Sequence, residues 1–383
     1  MQLTCRTWRC RSCSFFKRQV EYMHHLGEVV LRRQQEKLIR SVRKFISRGQ
    51  PYIIMDFPSN KDPGHHASWL GLAKVLWEVT GRLPVLTGSS LESINQIKAA
   101  PGDAPIFICG WADFGDARIG RDDIRYRLAC KYPDRTIIQM PQTIDFANDA
   151  LMEYAKRTIG RHRKFFFMTR DERSFELAKA NFDCDVEAGP DTAFGIELLK
   201  PFEADPLRVL YVMQPSGEDD VDIAEARAIV EGPLTNWING PDNLSHLHKS
   251  SVVKAAMRRG FSRPEMVAQH HEDVAARYVD YGVKMLSGAQ RIITNRLHGH
   301  ILCLLLNKPH VAVARSGSKL HDFISSWSSD ALLVEQATNA NELLAAMSRL
   351  PYEMNGAWYK SSRPIDLRPG LPAPDLVPHP SIV

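Results

Sequence analysis

Three residues with ligand-binding chemistry lie within four positions of one another: Arg296, His298 and Gly299. A guanidinium group can bind phosphate or carboxylate through two hydrogen bonds, and histidine is the side chain that ordinarily titrates closest to neutral pH. Glycine lets the backbone approach a ligand closely. The apolar run from His300 to Leu306 predicts a helix, whose free N-terminal N–H groups favour an anion. We therefore predict an anion-binding turn here.

Two buried strands are predicted to hold this turn. Residues 291–294 and 310–314 are short apolar runs, and Asn307-Lys-Pro309 ends the helix between them. In a parallel α/β sheet, such a turn lies at the carboxyl ends of the strands, where ligands bind. The alternative is a solvated Arg296 and a His298 that only caps the helix. Three ligand-capable residues in one turn favour function.

Composition limits the class of protein. The chain has 383 residues, 44% of them hydrophobic and 24% charged, with a net charge of +5. This length suits two domains, and the small basic excess suits anionic substrates or loose association with an anionic membrane surface, not nucleic acid. Because no run of about 18 apolar residues occurs, we predict no transmembrane helix. We also predict a cytoplasmic protein, with peripheral association at the membrane as a further expectation.

Cysteine usage and the two chain ends give further predictions. Residues 1–48 form a basic extension with an amphipathic helix, in which the spacing of Cys5, Cys10 and Cys13 fits no standard zinc motif. Residues 351–383 form a proline-rich tail that is expected to be extended. Reduced, buried thiols are expected at the cysteines that lie in or beside apolar runs: Cys109, Cys130, Cys184 and Cys303.

Strand and helix patterns alternate through the rest of the chain, which predicts an α/β fold in two halves, residues 49–200 and 201–350. The polar, twin-proline segment from Lys200 to Pro206 marks the boundary. In the first half, a strand at 51–57 precedes a long loop at 58–67 and a helix that is expected to begin at Ser68. This loop contains Asn60, Gly64 and the adjacent histidines His65 and His66.

Thr294-Asn-Arg-Leu-His-Gly-His300, followed by an apolar helix and Asn307-Lys-Pro309, resembles the RLHG segment of the polysaccharide pyruvyltransferase family. Members of that family transfer an enolpyruvate-derived group from phosphoenolpyruvate to a sugar, usually as a pyruvate ketal. The resemblance covers residues 51–325 and implies two Rossmann-like, doubly wound domains facing a cleft, as in GT-B glycosyltransferases. Weaker matches occur elsewhere in the chain, in the same order as in the family: Phe114-Gly-Asp116, Pro141-Gln-Thr-Ile144, Arg170-Asp-Glu-Arg-Ser174, Gly189-Pro-Asp-Thr-Ala-Phe194 and Arg315-Ser-Gly-Ser-Lys-Leu320.

Four residues in two turns depart from the family pattern. Trp111 and Ala112 replace usual glycines, and Asp113 replaces an asparagine. Gln214 stands where members commonly present an arginine to the donor, and a neutral amide binds an anion more weakly than a guanidinium. In the Arg170–Ser174 turn we favour helix capping and an Arg–Asp pair over a ligand contact.

The resemblance implies a set of site residues. We predict catalytic roles for His298 and Asp116, donor binding by Arg296, Gly299, Lys319 and Gln214, and acceptor binding by Asp113, Gln142, His65 and Asn60. No metal or cofactor is expected, because phosphoenolpyruvate itself is the co-substrate, and the acceptor would be a glycan or a lipid-linked oligosaccharide. The alternatives are a nucleotide-sugar-dependent glycosyltransferase of the GT-B type and a non-catalytic glycan-binding relative. The acceptor sugar, its linkage and the oligomeric state stay open.

Overall fold

The structure is a computed structural model that describes residues 28–89, 91–115, 123–201, 207–214, 227, 230–238 and 264–350. Several predictions lie outside these residues: the cysteines of the N-terminal extension, the catalytic role of Asp116, and the proline-rich tail. Among the described helices, none combines the length and the apolar composition that crossing a membrane would require.

A fully parallel six-stranded sheet forms the first half. Its strands are β1 (Ile53–Met55), β2 (Leu86–Gly88), β3 (Ile106–Ile108), β5 (Ile137–Gln142), β7 (Phe165–Thr169) and β8 (Asp185–Ala188), in the order β2-β1-β3-β5-β7-β8. A separate two-stranded pair consists of β4 (Phe114–Gly115) and β6 (Ile144–Asp145). The strand order reverses between β1 and β3. Their carboxyl ends therefore open at a topological switch point, where α/β proteins bind ligands.

Helices cover both faces of this sheet. They are α1 (28–42), α2 (Pro63–Thr80), α3 (Leu91–Gln96), α4 (Ile124–Lys131), α5 (Asp149–Gly160) and α6 (Glu172–Asn181), with 3₁₀ turns at Ile97–Ala99 and Thr192–Gly195. Helix α2 begins five residues earlier than Ser68, the predicted start. Asp62 caps the helix through its carboxylate and Pro63 takes the first helical position, where proline fits without strain. His65 and His66 therefore lie in the first turn of α2, not in a loop.

The second half repeats the same architecture around a parallel five-stranded sheet. Its strands are β9 (Leu207–Val212), β10 (Leu234–Thr235), β11 (Ala289–Thr294), β12 (His310–Val313) and β13 (Val334–Ala337), in the order β10-β9-β11-β12-β13. Its helices are α7 (Pro264–Ser287), α8 (Leu297–Leu305), α9 (Lys319–Trp327) and α10 (Ala340–Arg349). Here the order reverses between β9 and β11, so the turn after β11 lies at the second switch point.

The halves pack directly on each other. One hydrophobic cluster joins α2, α7 and α8, with fully buried Trp69, Tyr278 and Ile301 among its members. Helix α7 is long, 24 residues, and its apolar face continues along α2. The mixed α/β fold with parallel sheets is confirmed, and the GT-B-like arrangement across a cleft stays a prediction.

Helix α1 contacts both halves. On the first half, Ser41 and Lys44 bind the carboxylate of Glu187. On the second half, the amide of Gln34 donates to the carbonyl oxygen of Trp327. Of the four cysteines predicted to be buried, Cys109 and Cys303 are buried, Cys184 is half-buried and Cys130 is exposed. For Cys130 the prediction was wrong, because its side chain lies on the solvent face of α4.

Candidate functional site

The amino ends of α2 and α8 meet where the two switch points face each other. A Cβ atom at Gly64, in the first turn of α2, would lie only 2.0 Å from the Cβ of His298 in the first turn of α8. Glycine at this position therefore allows the two helix ends to touch. Each helix start carries the positive end of a helix dipole, so the contact brings two such ends together.

The first turn of α8 lacks a capping side chain. Arg296 is its N-cap residue and makes no side-chain hydrogen bond to the helix. Gly299 packs against the end of β11, since a Cβ atom there would lie 2.4 Å from the hydroxyl oxygen of Thr294. That hydroxyl oxygen accepts a hydrogen bond from the Arg296 N–H at 3.0 Å, which shapes the turn. An uncapped helix start beside a guanidinium is suited to an anion.

Arg296 joins the two halves through an ion pair. Its guanidinium nitrogen Nη2 lies 2.6 Å from Oδ2 of Asp62, which lies just before α2. Nη1 donates to the amide oxygen of Asn236 at 3.1 Å, and the guanidinium carbon lies 5.7 Å from the centre of the Trp237 ring. Only 10% of the Arg296 side chain is exposed. A protein carboxylate thus occupies part of the predicted anion site.

His298 contacts the first half through Ser68 and Asp191. Its Nε2 lies 3.1 Å from Oγ of Ser68 and 3.6 Å from Oδ2 of Asp191. Asp191 is fully buried and also accepts a hydrogen bond from Arg170 at 2.9 Å. Burial alone would raise the pKa of Asp191, but the hydrogen bond with His298 and the nearby charges outweigh it and lower that pKa well below its ordinary value. Asp191 is therefore ionised.

Lys319, a predicted donor residue, lies beside Asp113, a predicted acceptor residue. Its Nζ is 2.9 Å from Oδ2 of Asp113 and 2.7 Å from Oδ2 of Asp145. Arg170 donates to the other oxygen of Asp113 at 3.2 Å. Burial works against the charge on Lys319, yet the two carboxylates raise its pKa, so the ammonium form is retained. Two cations, Arg170 and Lys319, therefore alternate with two carboxylates, Asp113 and Asp145, in one network of ion pairs.

His65 and Asn60, both predicted to lie in a loop, lie together at the start of α2. The amide of Asn60 lies 2.8 Å from Nδ1 of His65. The His65 ring packs between His298 and Trp111, with ring centres 5.3 Å and 4.7 Å away. Burial lowers the pKa of His65 to about 3, and the charges of Arg296 and Arg170 act in the same direction. His65 is therefore neutral at physiological pH. Trp111, which replaces a family glycine, thus shapes the surroundings of a predicted site residue.

Two other predicted residues lie at the edges of this cluster. Gln142 is fully buried, its side-chain oxygen accepts from Arg125, and its side-chain nitrogen donates to the Ala112 carbonyl. Its predicted acceptor contact would thus act through the turns it supports. Gln214 is exposed beyond β9, where its backbone exchanges two hydrogen bonds with Asn295. The binding roles of both residues stay predictions.

Sequence reasoning missed Asp62, Ser68, Arg170 and Asp191 as site residues. Arg170 and Asp191 lie in motifs that the sequence singled out, so their positions were visible although their contacts were not. Asp171 caps α6 as expected, its carboxylate accepting the Ser174 N–H at 2.8 Å. Arg170, however, pairs with Asp191 and Asp113, not with its neighbour Asp171. Pairing between strand ends cannot be deduced from sequence spacing.

Asp62, His65 and His298 could also hold a metal ion. Each offers one ligand atom, and these atoms lie within 4.8 Å of one another. Two imidazoles and a carboxylate form a donor set that suits zinc or a related transition metal. Arg296 already contacts the carboxylate of Asp62, so a metal would compete with a guanidinium for that oxygen.

Comparison with known proteins gives consistent matches. A family model described as polysaccharide pyruvyl transferase matches residues 32–317, most of the chain. EpsO of Bacillus subtilis (strain 168), a pyruvyl transferase by name, is 23% identical over 247 residues, covering 63% of this chain and 76% of EpsO. Pyruvyl transferase 1 of Schizosaccharomyces pombe is 22% identical over 318 residues, covering 77% of this chain and 74% of that protein. An uncharacterised Klebsiella pneumoniae protein of known crystal structure superposes with a TM-score of 0.47 at 14% identity, covering 80% and 98% of the two chains.

Proposed function

This chain belongs to the polysaccharide pyruvyl transferase family, and we propose that it transfers pyruvate from phosphoenolpyruvate to a sugar of a polysaccharide or its precursor. The product would be a pyruvate ketal and the leaving group inorganic phosphate. A cytoplasmic location, with peripheral association at the membrane face where lipid-linked acceptors are assembled, belongs to the same proposal.

One observation supports the choice of donor: two helix amino ends touch at Gly64 and His298, and the cations Arg296, Arg170 and Lys319 belong to the ion pairs around that contact, where an anionic donor could exchange for the carboxylates. Phosphoenolpyruvate combines a phosphate and a carboxylate on three carbons, which gives it roughly three negative charges at neutral pH. A guanidinium binds either group through two hydrogen bonds, and a helix amino end adds backbone donors. The described cluster supplies both kinds of donor within a small volume.

The reaction needs two proton transfers. The first sugar hydroxyl adds to C2 of the enolpyruvate, and C3 gains a proton to become a methyl group. The second hydroxyl also bonds to C2 as the C2–O bond to phosphate breaks, and its proton leaves with the phosphate. His298 would move these protons, because an imidazole can both accept and donate one near neutral pH. The acceptor would bind on the side of the site that the first half forms, where it would contact His65, Asn60 and Asp113.

The proposal is tested by incubating the purified protein with phosphoenolpyruvate and a mixed glycan acceptor. We expect phosphate release together with pyruvate ketal on the glycan, detected by mass spectrometry. Arg296→Gln and His298→Ala should each abolish both signals, while circular dichroism shows that the proteins stay folded. Near-normal turnover by either variant would remove the site from the reaction.

The same assay with a panel of nucleotide sugars examines the main alternative. Release of nucleoside diphosphate by the wild-type protein, without any consumption of phosphoenolpyruvate, would replace the proposal with glycosyl transfer. A protein that consumes neither donor, yet retains glycans on a column, would be a non-catalytic binding relative.

A further inference from the structure

We propose that Ser68 and Asp191 hold His298 in the tautomer that carries its proton on Nε2, which leaves Nδ1 as the nitrogen that moves protons. The inference deepens the proposed function, since it assigns one atom of His298 to the reaction. Ser68 and Asp191 act as positioning residues, because they reach the substrate only through His298.

The hydrogen bonds of Ser68 set the direction of the contact. Its Oγ lies 2.9 Å from Oδ1 of Asp191, 3.3 Å from the carbonyl oxygen of Gly64 and 3.1 Å from Nε2 of His298. The carboxylate and the carbonyl oxygen can only accept. If the single hydroxyl hydrogen pointed at Nε2, the hydroxyl oxygen would face an ionised carboxylate at 2.9 Å with no hydrogen between them, so the hydrogen points at the carboxylate or the carbonyl oxygen. The hydroxyl oxygen then offers lone pairs to His298. Nε2 must therefore be the donor in that contact.

Asp191 strengthens the same assignment. Its carboxylate is fully buried and accepts hydrogen bonds from Nη1 of Arg170 and from the Ala193 N–H, both at 2.9 Å. These donors keep it ionised, so it has no proton to give. Its Oδ2 lies 3.6 Å from Nε2 of His298. Both neighbours of Nε2 are thus acceptors, and neither could face a bare nitrogen lone pair favourably.

The other nitrogen, Nδ1, lies beside the first turn of α2. A Cβ atom at Gly64 would lie 3.0 Å from Nδ1 of His298, so this nitrogen points at the first turn of α2. His65 lies on that turn. Both side-chain atoms of Asn60 lie near Nδ1 of His65, the nitrogen at 2.8 Å and the oxygen at 3.1 Å. The rings of His65 and His298 have centres 5.3 Å apart, so both border the first turn of α2.

This arrangement has a catalytic consequence. When Nδ1 of His298 accepts a hydroxyl proton, the ring becomes an imidazolium whose Nε2–H still points at the Ser68–Asp191 pair. An ionised carboxylate behind the ring stabilises that charge, as a buried aspartate does in serine proteases. The charged and titratable groups that face His298 come from every element around it: Asp62, His65, Arg170, Asp191 and Arg296.

The tautomer can be observed directly. Long-range ¹H–¹⁵N NMR of the full-length protein labelled with ¹⁵N-histidine distinguishes the two nitrogens, and the missing signal in His298→Gln assigns the residue. In spectra recorded at a pH where the ring is neutral, we expect the pattern of protonation on Nε2. A ring protonated on Nδ1 would overturn the inference. Because this spectrum requires no turnover, it separates a failed inference from a failed function.

Asp191→Asn tests the positioning role. If its oxygen keeps the contact with Arg170, the asparagine places its NH₂ at the position of Oδ1, where it loses the Ala193 hydrogen bond and donates to Ser68. The Ser68 hydroxyl can then turn to Nε2, which favours the proton on Nδ1. We expect kcat to fall by about 100-fold or more with little change in KM, and the acidic limb of the pH profile to move. Ser68→Ala, which leaves Asp191 in place, should lose about 10-fold.

Asp171→Asn is the matched control. It makes the same charge change at a buried carboxylate beside Arg170 that does not contact His298, and asparagine caps a helix as well as aspartate does. Its kcat and tautomer should stay those of the wild type. If Asp191→Asn does not fold, the kcat of Ser68→Ala and the NMR spectrum of the wild type test the inference instead. An Asp191→Asn protein with wild-type turnover and tautomer would overturn the inference.

Discussion

Arg296 and Asp62 form an ion pair of 2.6 Å between the turn after β11 and the residue that caps α2. Burial alone would raise the pKa of Asp62, but the positive charge beside it, that of Arg296 included, outweighs burial and holds that pKa far below its ordinary value. Asp62 is therefore ionised, and its carboxylate lies where the proposal would place the donor's anionic group. On that proposal, Asp62 pairs with Arg296 when no donor is bound.

Removing the charge of Asp62 is predicted to tighten donor binding. In Asp62→Asn the amide still caps α2, because asparagine is as good an N-cap as aspartate, but it competes less strongly for Arg296. We expect the dissociation constant for phosphoenolpyruvate, measured by calorimetry at 0.15 M salt, to fall by about 10-fold.

Asp330→Asn provides the control for this charge change. This substitution breaks the exposed ion pair between Arg33 of α1 and Asp330 of the second half, a contact of 2.9 Å that lies away from the site. Donor affinity should be unchanged, since exposed pairs contribute little. Weaker donor binding in Asp62→Asn would show that Asp62 helps the donor to bind and does not compete with it.

Gly64→Ala is predicted to disrupt the site from the helix that supports it. The added methyl group would lie 2.0 Å from the Cβ of His298, so either α2 or α8 must shift. A displacement of this kind commonly lowers activity by about 100-fold even when the reacting groups are intact. Gly102→Ala, which meets no atom within 4 Å, is the control and should retain activity. An active Gly64→Ala protein would mean that the two helix ends need not touch.

How much of this site could be predicted depends on whether the contacts are local in sequence. Arg296, His298 and Gly299 belong to one turn, so their proximity follows from the strand and helix patterns around them. The pairing of Asp191 with His298 joins residues far apart in the chain, and only the packing of α2 against α8 brings them together. The sequence also predicts the start of α2 too late. Asp62, which caps the helix, lies in a stretch that the sequence predicts to be a loop.

The structure makes a prediction about metals. The proposed reaction uses no metal, so dialysis against EDTA should leave pyruvate transfer unchanged. Added Zn²⁺ is expected to inhibit, because it can bind Asp62, His65 and His298, whose ligand atoms lie within 4.8 Å of one another. His65→Gln should raise the inhibitory Zn²⁺ concentration by about 10-fold, since one ligand is lost. Activity that disappears with EDTA and returns with a metal would contradict the metal-free scheme.

A buried pair of histidines behind the site links stability to pH. Nδ1 of His310 donates to the Lys308 carbonyl at 2.9 Å, so its Nε2 accepts from Nδ1 of His300 at 2.8 Å. Ser328 donates to Nε2 of His300 at 2.9 Å. Each ring is therefore neutral, and an added proton would make one donor face another. Burial lowers the pKa of His310 to about 4 and that of His300 well below 6.5.

These shifts predict that stability is lost on the acid side of neutrality. Unfolded histidines bind protons near pH 6.5, whereas the folded pair resists protonation. The free energy of unfolding should therefore be highest above pH 6.5 and should decrease between about pH 6.5 and 4. The loss should reach roughly a few kcal/mol. Urea denaturation of the wild type and His310→Gln at several pH values measures it. The variant should be less stable at pH 7.5, because the hydrogen-bonded chain is broken, yet lose less on acidification. Some loss remains, since His65, whose pKa is also lowered, acts in the same direction. Equal acid sensitivity of the two proteins would show that the histidine pair does not control stability in this range.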